Sequence, residues 1–383
     1  MKLRALILGS GFAGQGHAQA LRDSGVEIVG VVSRTLDVVE RVASDLNIPY
    51  ACTDWQQALT DLQLDIVAIG TPGGVHFEPI VAALAQGCHV YCDKPLAATA
   101  IHAQMLYLKA QEAGIKTAYA ASYRYQPHAL LARQMVEDGA IGEPLEVECV
   151  SHFNLDPLIP FGWSHRIEAG GGRLNNNFTH KLSIVEHVLA GQVIAVSGET
   201  RNDMPKAPVV PGVHDFRERH KFAPSDADNP NLTWAAANAE WSYTVMAHIQ
   251  SPLQVNQPVS AVFRHSALQP RYNDDYIAFY GKDGAIYIQG HYAQGPLYLS
   301  QKREPWKQIS LPERITAVLP KIKDDTQRNW TQLAREFVSD ILEEGNSSYQ
   351  TFKDGWIYQE IIEFVRNSDG WLDCSGFYSR AAC

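Results

Sequence analysis

Three short stretches gather residue types that could do chemistry. The first is GSGFAG, Gly9 to Gly14, a G-x-G-x-x-G pattern. It follows the apolar run ALIL and opens a helical stretch, the context in which such glycines cradle a dinucleotide. Gly9 permits the tight turn. Gly11 lets a pyrophosphate approach the backbone beside Phe12 and Ala13. Gly14 lets helix and strand pack closely, and the helix N-terminus faces the phosphates. The second stretch is CDKPLAAT, Cys92 to Thr99, at the end of another apolar run. In open α/β sheets the carboxyl ends of strands carry the ligand site. Asp93 and Lys94 therefore belong in a cleft, with Lys94 nearer a nicotinamide than the phosphates. The third is GGGRLNNNFTH, Gly170 to His180. Three glycines weaken any helix or strand, and a polar cluster follows at once. That order suggests a loop closing around something small.

The second apolar run ends VVSRT. An acidic residue there would accept the ribose 2′-hydroxyl of NAD, whereas an arginine accommodates a 2′-phosphate. Ser33 and Arg34 stand in its place, which favours NADP over NAD. The alternative is a solvated Arg34 stacking on adenine. His76 is expected near the nicotinamide, or else as a helix-start residue. No Cys/His cluster with zinc spacing appears, so no metal is expected.

The elements that must position these residues alternate. ALILG, Val26 to Val32, Asp65 to Gly70, His89 to Cys92 and Lys116 to Ala120 are apolar runs. Between them lie helical stretches, such as the one apolar at Leu36, Val39, Val42 and Leu46. Strands apolar throughout and separated by helices imply a parallel sheet covered on both faces. This predicts an α/β fold with an N-terminal doubly wound Rossmann domain over residues 1–122. After Gly142 the texture changes. PLEVECVSHF, AEWSYTVMAHI and YIAFYGKDGAIYIQG alternate apolar and polar, and GKDG reads as a hairpin turn. Residues 123–383 are therefore expected to form a second α/β domain with a large, mostly antiparallel, open-faced sheet. Helices return at 329–343 and 352–367. The Pro-, Asp- and Asn-rich stretch 201–230 reads as a long loop.

Bulk properties narrow the function. The chain has 383 residues and a net charge of -10, with no Lys/Arg run, which argues against nucleic acid or an anionic membrane as partner. No apolar stretch reaches the roughly 18 residues that a membrane span needs. The six cysteines show no paired spacing, which points to reduced thiols and a cytoplasmic setting.

These motifs, in this order, resemble the Gfo/Idh/MocA family of NAD(P)-dependent oxidoreductases. The resemblance rests on Gly9–Gly14, TPGGVHFEPIVAAL after the third run, DKP at Asp93–Pro95 (usually EKP), EDGAIGEP at the domain junction, and the GGG ten residues before His180. It extends over nearly the whole chain. It implies that Thr71, Pro72, His76 and Asp93 help hold the cofactor. It implies a sugar, sugar derivative or cyclitol as substrate, with hydride passing between a hydroxyl-bearing carbon and the nicotinamide. The residues corresponding to Lys94 and His180 then handle the hydroxyl proton. Within this frame Tyr123, Arg124, Tyr125, Trp163, His165 and Arg166 are expected around the sugar, and an Arg166–carboxylate contact leaves an acidic sugar open. Residues four apart share a helix face, so Asn176, next to Asn177, is expected to face His180. The family pattern has aspartate at Asn176. Asparagine cannot supply charge, so His180 is expected to be neutral. The open sheet face is expected to form a homodimer or homotetramer. Two rivals remain: a glycosidase or lyase using tightly bound NAD transiently, and a non-catalytic sugar- or nucleotide-sensing regulator.

Overall fold

Six short strands build the first sheet: β1 (Arg4–Leu8), β2 (Glu27–Val32), β3 (Tyr50–Cys52), β4 (Ile66–Ile69), β5 (His89–Cys92) and β6 (Thr117–Tyr119). Their order is β3-β2-β1-β4-β5-β6, and every pairing is parallel. The computed structural model describes residues 2–213, 218–269, 275–345, 348–367 and 369–379. The inner strands read apolar because both their faces are covered; Leu6, Val67, Ile69 and Val90 have no exposed surface. β3 is absent from the strands expected above. It has three half-buried residues at the sheet edge, too short for a periodicity to show. The strand order reverses between β1 and β4, so the crevice for a ligand opens beyond their carboxyl ends.

The second sheet has nine strands: β7 (Pro144–His152), β8 (Gln192–Arg201), β11 (Ser242–Ser251), β12 (Gln254–Ser266), β13 (Asp275–Gly281), β14 (Gly284–Gln289), β15 (Leu297–Gln301), β16 (Lys307–Ile309) and β17 (Leu372–Asp373). A separate pair, β9 (Lys206–Pro208) and β10 (Trp234–Ala236), lies in and just beyond the stretch expected to be a long loop. The large sheet is antiparallel except for the β7–β12 pairing. Lys282 and Asp283 turn the β13–β14 hairpin, as GKDG predicts. Tyr243, Val245, Ala247 and Ile249 on β11 point inward, into one core with the helices Thr179–Leu189 and Phe352–Asn367. The other face shows Met246 and Val262, each about two-fifths exposed. On it a row of rings, Tyr276, Tyr287 and Tyr298, runs at centroid spacings of 5.1 and 6.1 Å.

The helix Asp325–Ile341 crosses back to the first sheet. Its Trp330, Leu333 and Phe337 pack with Ile7, Leu21 and Ala68. A Cβ at Gly16 would lie 2.1 Å from the Trp330 ring, so only glycine admits this approach. The N-terminal core is thus completed by chain more than 200 residues beyond the boundary expected at 122.

Candidate active site

The loop after β1 is shaped by its glycines. Gly9 has φ +113, and a Cβ there would meet the Gly70 carbonyl oxygen at 2.7 Å. A Cβ at Gly14 would sit 1.8 Å from the Gly9 oxygen. The β1 and β4 loops therefore touch backbone to backbone. At Gly11, by contrast, an added Cβ would meet nothing within 4 Å. That is open space at the N-terminus of the helix Phe12–Asp23, and it fits a pyrophosphate on backbone N–H groups. Phe12 and Ala13 begin that helix. Just beyond β2, Ser33 Oγ accepts from Ser10 Oγ at 2.7 Å. Arg34 is exposed beside them.

Lys94 follows β5 at the carboxyl end of the sheet. Its Nζ donates to Asn176 Oδ1 at 3.0 Å. Burial lowers its pKa, the Asp93 carboxylate works against that, and the Arg173 charge adds to the lowering. Asp93 is itself held at about 2: burial opposes ionisation, but His17 and Lys94 outweigh it. His17 Nε2 lies 3.7 Å from Asp93 Oδ1. Its ring is wedged between Tyr91 and Trp330.

The glycine run lets protein segments meet. A Cβ at Gly170 would lie 3.0 Å from Gly73 Cα, and one at Gly74 would lie 2.2 Å from the Glu168 oxygen. A Cβ on Gly172 (φ +93) would strike Glu240 and Arg366. Those two form an ion pair at 2.8 Å, and Glu240 also accepts from the Leu174 N–H. The run brings the second domain's loop against the β4 and β5 loops, and so carries Asn176 to Lys94.

No hydrogen bond joins Asn176 to His180, and the backbone explains why. Leu174–Phe178 is a π-helical turn before the α-helix Thr179–Leu189. A π turn pairs residues five apart, so the four-residue rule of a regular helix does not apply across it. Asn176 Nδ2 donates to the Gly172 carbonyl and its Oδ1 receives Lys94. His180 is 6% exposed, edge-on to Tyr123 at 4.7 Å and tilted to Tyr292 at 5.0 Å. Burial first, and the Lys94 charge next, hold its pKa well below the usual histidine range. The imidazole is neutral, as expected, but through desolvation rather than through Asn176. Its Nδ1 is buried without a hydrogen-bond partner.

The other expected residues divide. Tyr123 stacks on Tyr292 at 4.5 Å and reaches Thr326, so it lines the same cleft as His180. Arg124 bonds His187, two helical turns beyond His180, rather than Lys94 or His180. Tyr125 is buried and donates to Glu336. His76 is fully buried, with one ring nitrogen against the Thr71 oxygen at 2.7 Å and the other near the Leu96 oxygen at 3.2 Å. It ties the β4 and β5 loops together, with both nitrogens used inside the protein. Thr71 and Pro72 begin the loop that meets Gly170. Trp163 is half-buried and Arg166 exposed. His165 is buried between Phe161 and Trp241, its pKa driven to about 4 by burial and Arg219. Asn177 points the other way from Asn176: it donates to Ser151 and Tyr292 and accepts from Tyr243.

Sequence reasoning missed Tyr292, Arg173 and the group behind them. Lys181, fully buried, pairs with Asp275, which also accepts from Ser151 at 2.8 Å and His291 at 3.0 Å. Tyr292 (φ 48) and Ala293 (φ 63) are left-handed non-glycine residues, a strained arrangement that recurs at functional sites. No sequence signal marks it. Among the described residues no cluster of three or more His, Cys, Asp or Glu is set to hold a metal.

Comparison with known proteins fits this geometry. Residues 3–120 match the model of an oxidoreductase family with an NAD-binding Rossmann fold, and residues 129–287 match the GFO/IDH/MocA C-terminal domain. A levoglucosan dehydrogenase of Pseudarthrobacter phenanthrenivorans is 27% identical over 221 residues, covering 55% of this chain and 56% of that protein. The scyllo-inositol 2-dehydrogenase (NAD(+)) of Bacillus subtilis is 27% identical over 202 residues, covering 52% and 58%. The chain thus spans little more than half the length of these curated relatives. Among solved structures, a levoglucosan dehydrogenase in complex with NADH and L-sorbose superposes with a TM-score of 0.81 at 19% identity, covering 98% of this chain and all of that one.

Proposed function

The chain belongs to the Gfo/Idh/MocA family of oxidoreductases, and on that premise we propose that it is an NAD(P)-dependent sugar or cyclitol dehydrogenase or reductase. It transfers hydride between the nicotinamide and a hydroxyl-bearing carbon of a sugar, sugar derivative or cyclitol. The observation that carries the reading is Lys94, half-buried with a lowered pKa, held by Asn176 beside the neutral His180 at the crevice mouth. Relatives named as levoglucosan and inositol dehydrogenases support the substrate class.

Gly9, Gly11, Phe12, Ala13 and Gly14 hold the pyrophosphate, Ser33 and Arg34 the adenosine ribose, with NADP preferred, and Thr71, Pro72 and Asp93 border the nicotinamide end. When bound, the nicotinamide supplies the hydride acceptor or donor. In oxidation the neutral Lys94 amine takes the hydroxyl proton; in reduction the ammonium returns it. Burial lowers the Lys94 pKa, which raises the share of amine able to act as a general base. Asn176 aims the amine, since Lys94 spends one N–H on Oδ1. His180 and Tyr123 orient the substrate hydroxyl. Residues 1–122 then serve as the cofactor domain and 123–383 as the substrate domain. An absorbance assay at 340 nm with NAD(+) and NADP(+) over sugars and cyclitols tests this. Net formation of reduced cofactor supports it. Product without net change indicates a glycosidase or lyase, and ligand binding without turnover indicates a sensor.

The same reading makes the exposed face of the second sheet a homodimer or homotetramer interface, supported by Met246, Val262 and the tyrosine row. Free thiols at Cys52, Cys88, Cys92, Cys149 and Cys374 support a reducing, cytoplasmic setting. Among the described residues no helix is long and apolar enough to cross a membrane.

A further inference from the structure

Arg173 stands immediately before the π turn that carries Asn176. Its Nε donates to His265 Nε2 at 2.9 Å, and its guanidinium lies over the Phe153 ring at 5.0 Å. Those contacts fix the plane of the fork. Its two terminal nitrogens, with four N–H groups between them, have no partner among the described residues, and neither is sealed from solvent. A half-buried guanidinium without a carboxylate is unusual, because buried charges are normally paired.

The nearby carboxylates are already engaged. Both Glu240 oxygens bond Arg366, and one also takes the Leu174 N–H. Asp275 holds Lys181, Ser151 and His291. Asp93 is held at about 2 by His17 and Lys94. The Arg173 charge reaches Lys94, His180 and Arg219, lowering the pKa of all three. Arg173 therefore sets a positive charge without a carboxylate of its own close to Lys94 and His180. A planar fork with free N–H groups matches two anionic oxygens, which a neutral sugar does not offer.

We propose that Arg173 is the anion-binding residue of the substrate pocket, and that the substrate is a sugar or cyclitol bearing a carboxylate or a phosphate. This rests on the cleft being the substrate site, and it moves the acidic-sugar reading from the exposed Arg166 to Arg173.

Calorimetric titration of the cofactor-loaded protein tests the proposal without relying on turnover. The probes are D-glucuronate, D-galacturonate, D-gluconate and D-glucose 6-phosphate, each against D-glucose or D-galactose. At least one anionic probe should bind about 10–100-fold tighter than its neutral counterpart. Preference for the acids identifies a carboxylate, and preference for the ester a phosphate. R173Q should erase the preference while leaving neutral-sugar affinity near wild type. R173K should restore part of it as a point charge, and it carries the test should R173Q melt early. The proposal is overturned if no anionic probe outbinds its neutral counterpart. It is equally overturned if R173Q leaves the preference intact or weakens both classes alike. Because the readout is heat of binding, a failure at 340 nm with the preference intact would reject the redox reading alone.

Discussion

Asn176→Asp tests the acid–base assignment most sharply. Lys94 Nζ donates to Asn176 Oδ1 across 3.0 Å, so the substitution puts a carboxylate at that separation. Two unit charges 3 Å apart interact by about 5 kcal/mol at an effective dielectric of 20. Both side chains are only half-buried, and an opposite charge at this range moves a pKa by about 1–3 units. The sign follows directly. The carboxylate favours the ammonium, so the Lys94 pKa climbs back from its lowered value. In oxidation the amine is the base, so the rate rises with pH through that pKa. The acidic limb of kcat/KM should therefore move about 1–3 pH units upward. Below the limb the variant should be about 10- to 1000-fold slower, converging with wild type on the alkaline plateau. The assay is the pH profile of sugar or cyclitol oxidation followed at 340 nm. The same shift should persist in a His180→Ala background, since Asn176 hydrogen-bonds Lys94 and not the imidazole. Superimposed profiles, a downward shift, or a shift that vanishes with His180→Ala would refute the reasoning.

Lys94→Ala should lose about 10²–10⁴ in turnover while cofactor affinity, measured by fluorescence titration, changes little; near-normal turnover removes Lys94 from the mechanism. Ser33 and Arg34 should give NADP(H) about a ten- to hundredfold advantage over NAD(H) through a charge-assisted contact to the 2′-phosphate; equal or tighter NAD binding contradicts it. Lys181→Met strands the buried Asp275 carboxylate and should cost about 3–5 kcal/mol in urea unfolding; an unchanged midpoint means that Asp275 finds enough support from Ser151 and His291.

The two sheets were legible because their strands bury surface differently. Strands covered on both faces are apolar throughout, and strands covered on one face alternate. The three-residue β3 escaped because an edge strand that short has no period. The return of Asp325–Ile341 to the first core escaped because nothing in an amphipathic helix says which domain receives its apolar face. At the site, Lys94 and His180 were readable from their motifs. Their partners were not. The Asn176–Lys94 bond joins positions 82 apart and depends on a π turn that a regular-helix rule misplaces. Gly170 to Gly172 were readable as a loop closing around something small, but only the fold shows that they also let the β4 and β5 loops, Glu240 and Arg366 pack close. Tyr292 rests on a left-handed backbone with no glycine to announce it. Arg173 stood in plain view within the glycine–asparagine stretch, but its lack of a carboxylate appears only once every neighbouring acid has been traced to its partner.

The central claim is reversible hydride transfer with Lys94 handling the proton. Its most direct test is full turnover at 340 nm over neutral and acidic sugars and cyclitols, with NAD(+) and NADP(+), wild type against Lys94→Ala. Reduced cofactor should accumulate in step with oxidised product, and the variant should lose that signal by about 10²–10⁴ while still binding cofactor. Product formed without net cofactor change, or equal rates in the two proteins, would contradict the account.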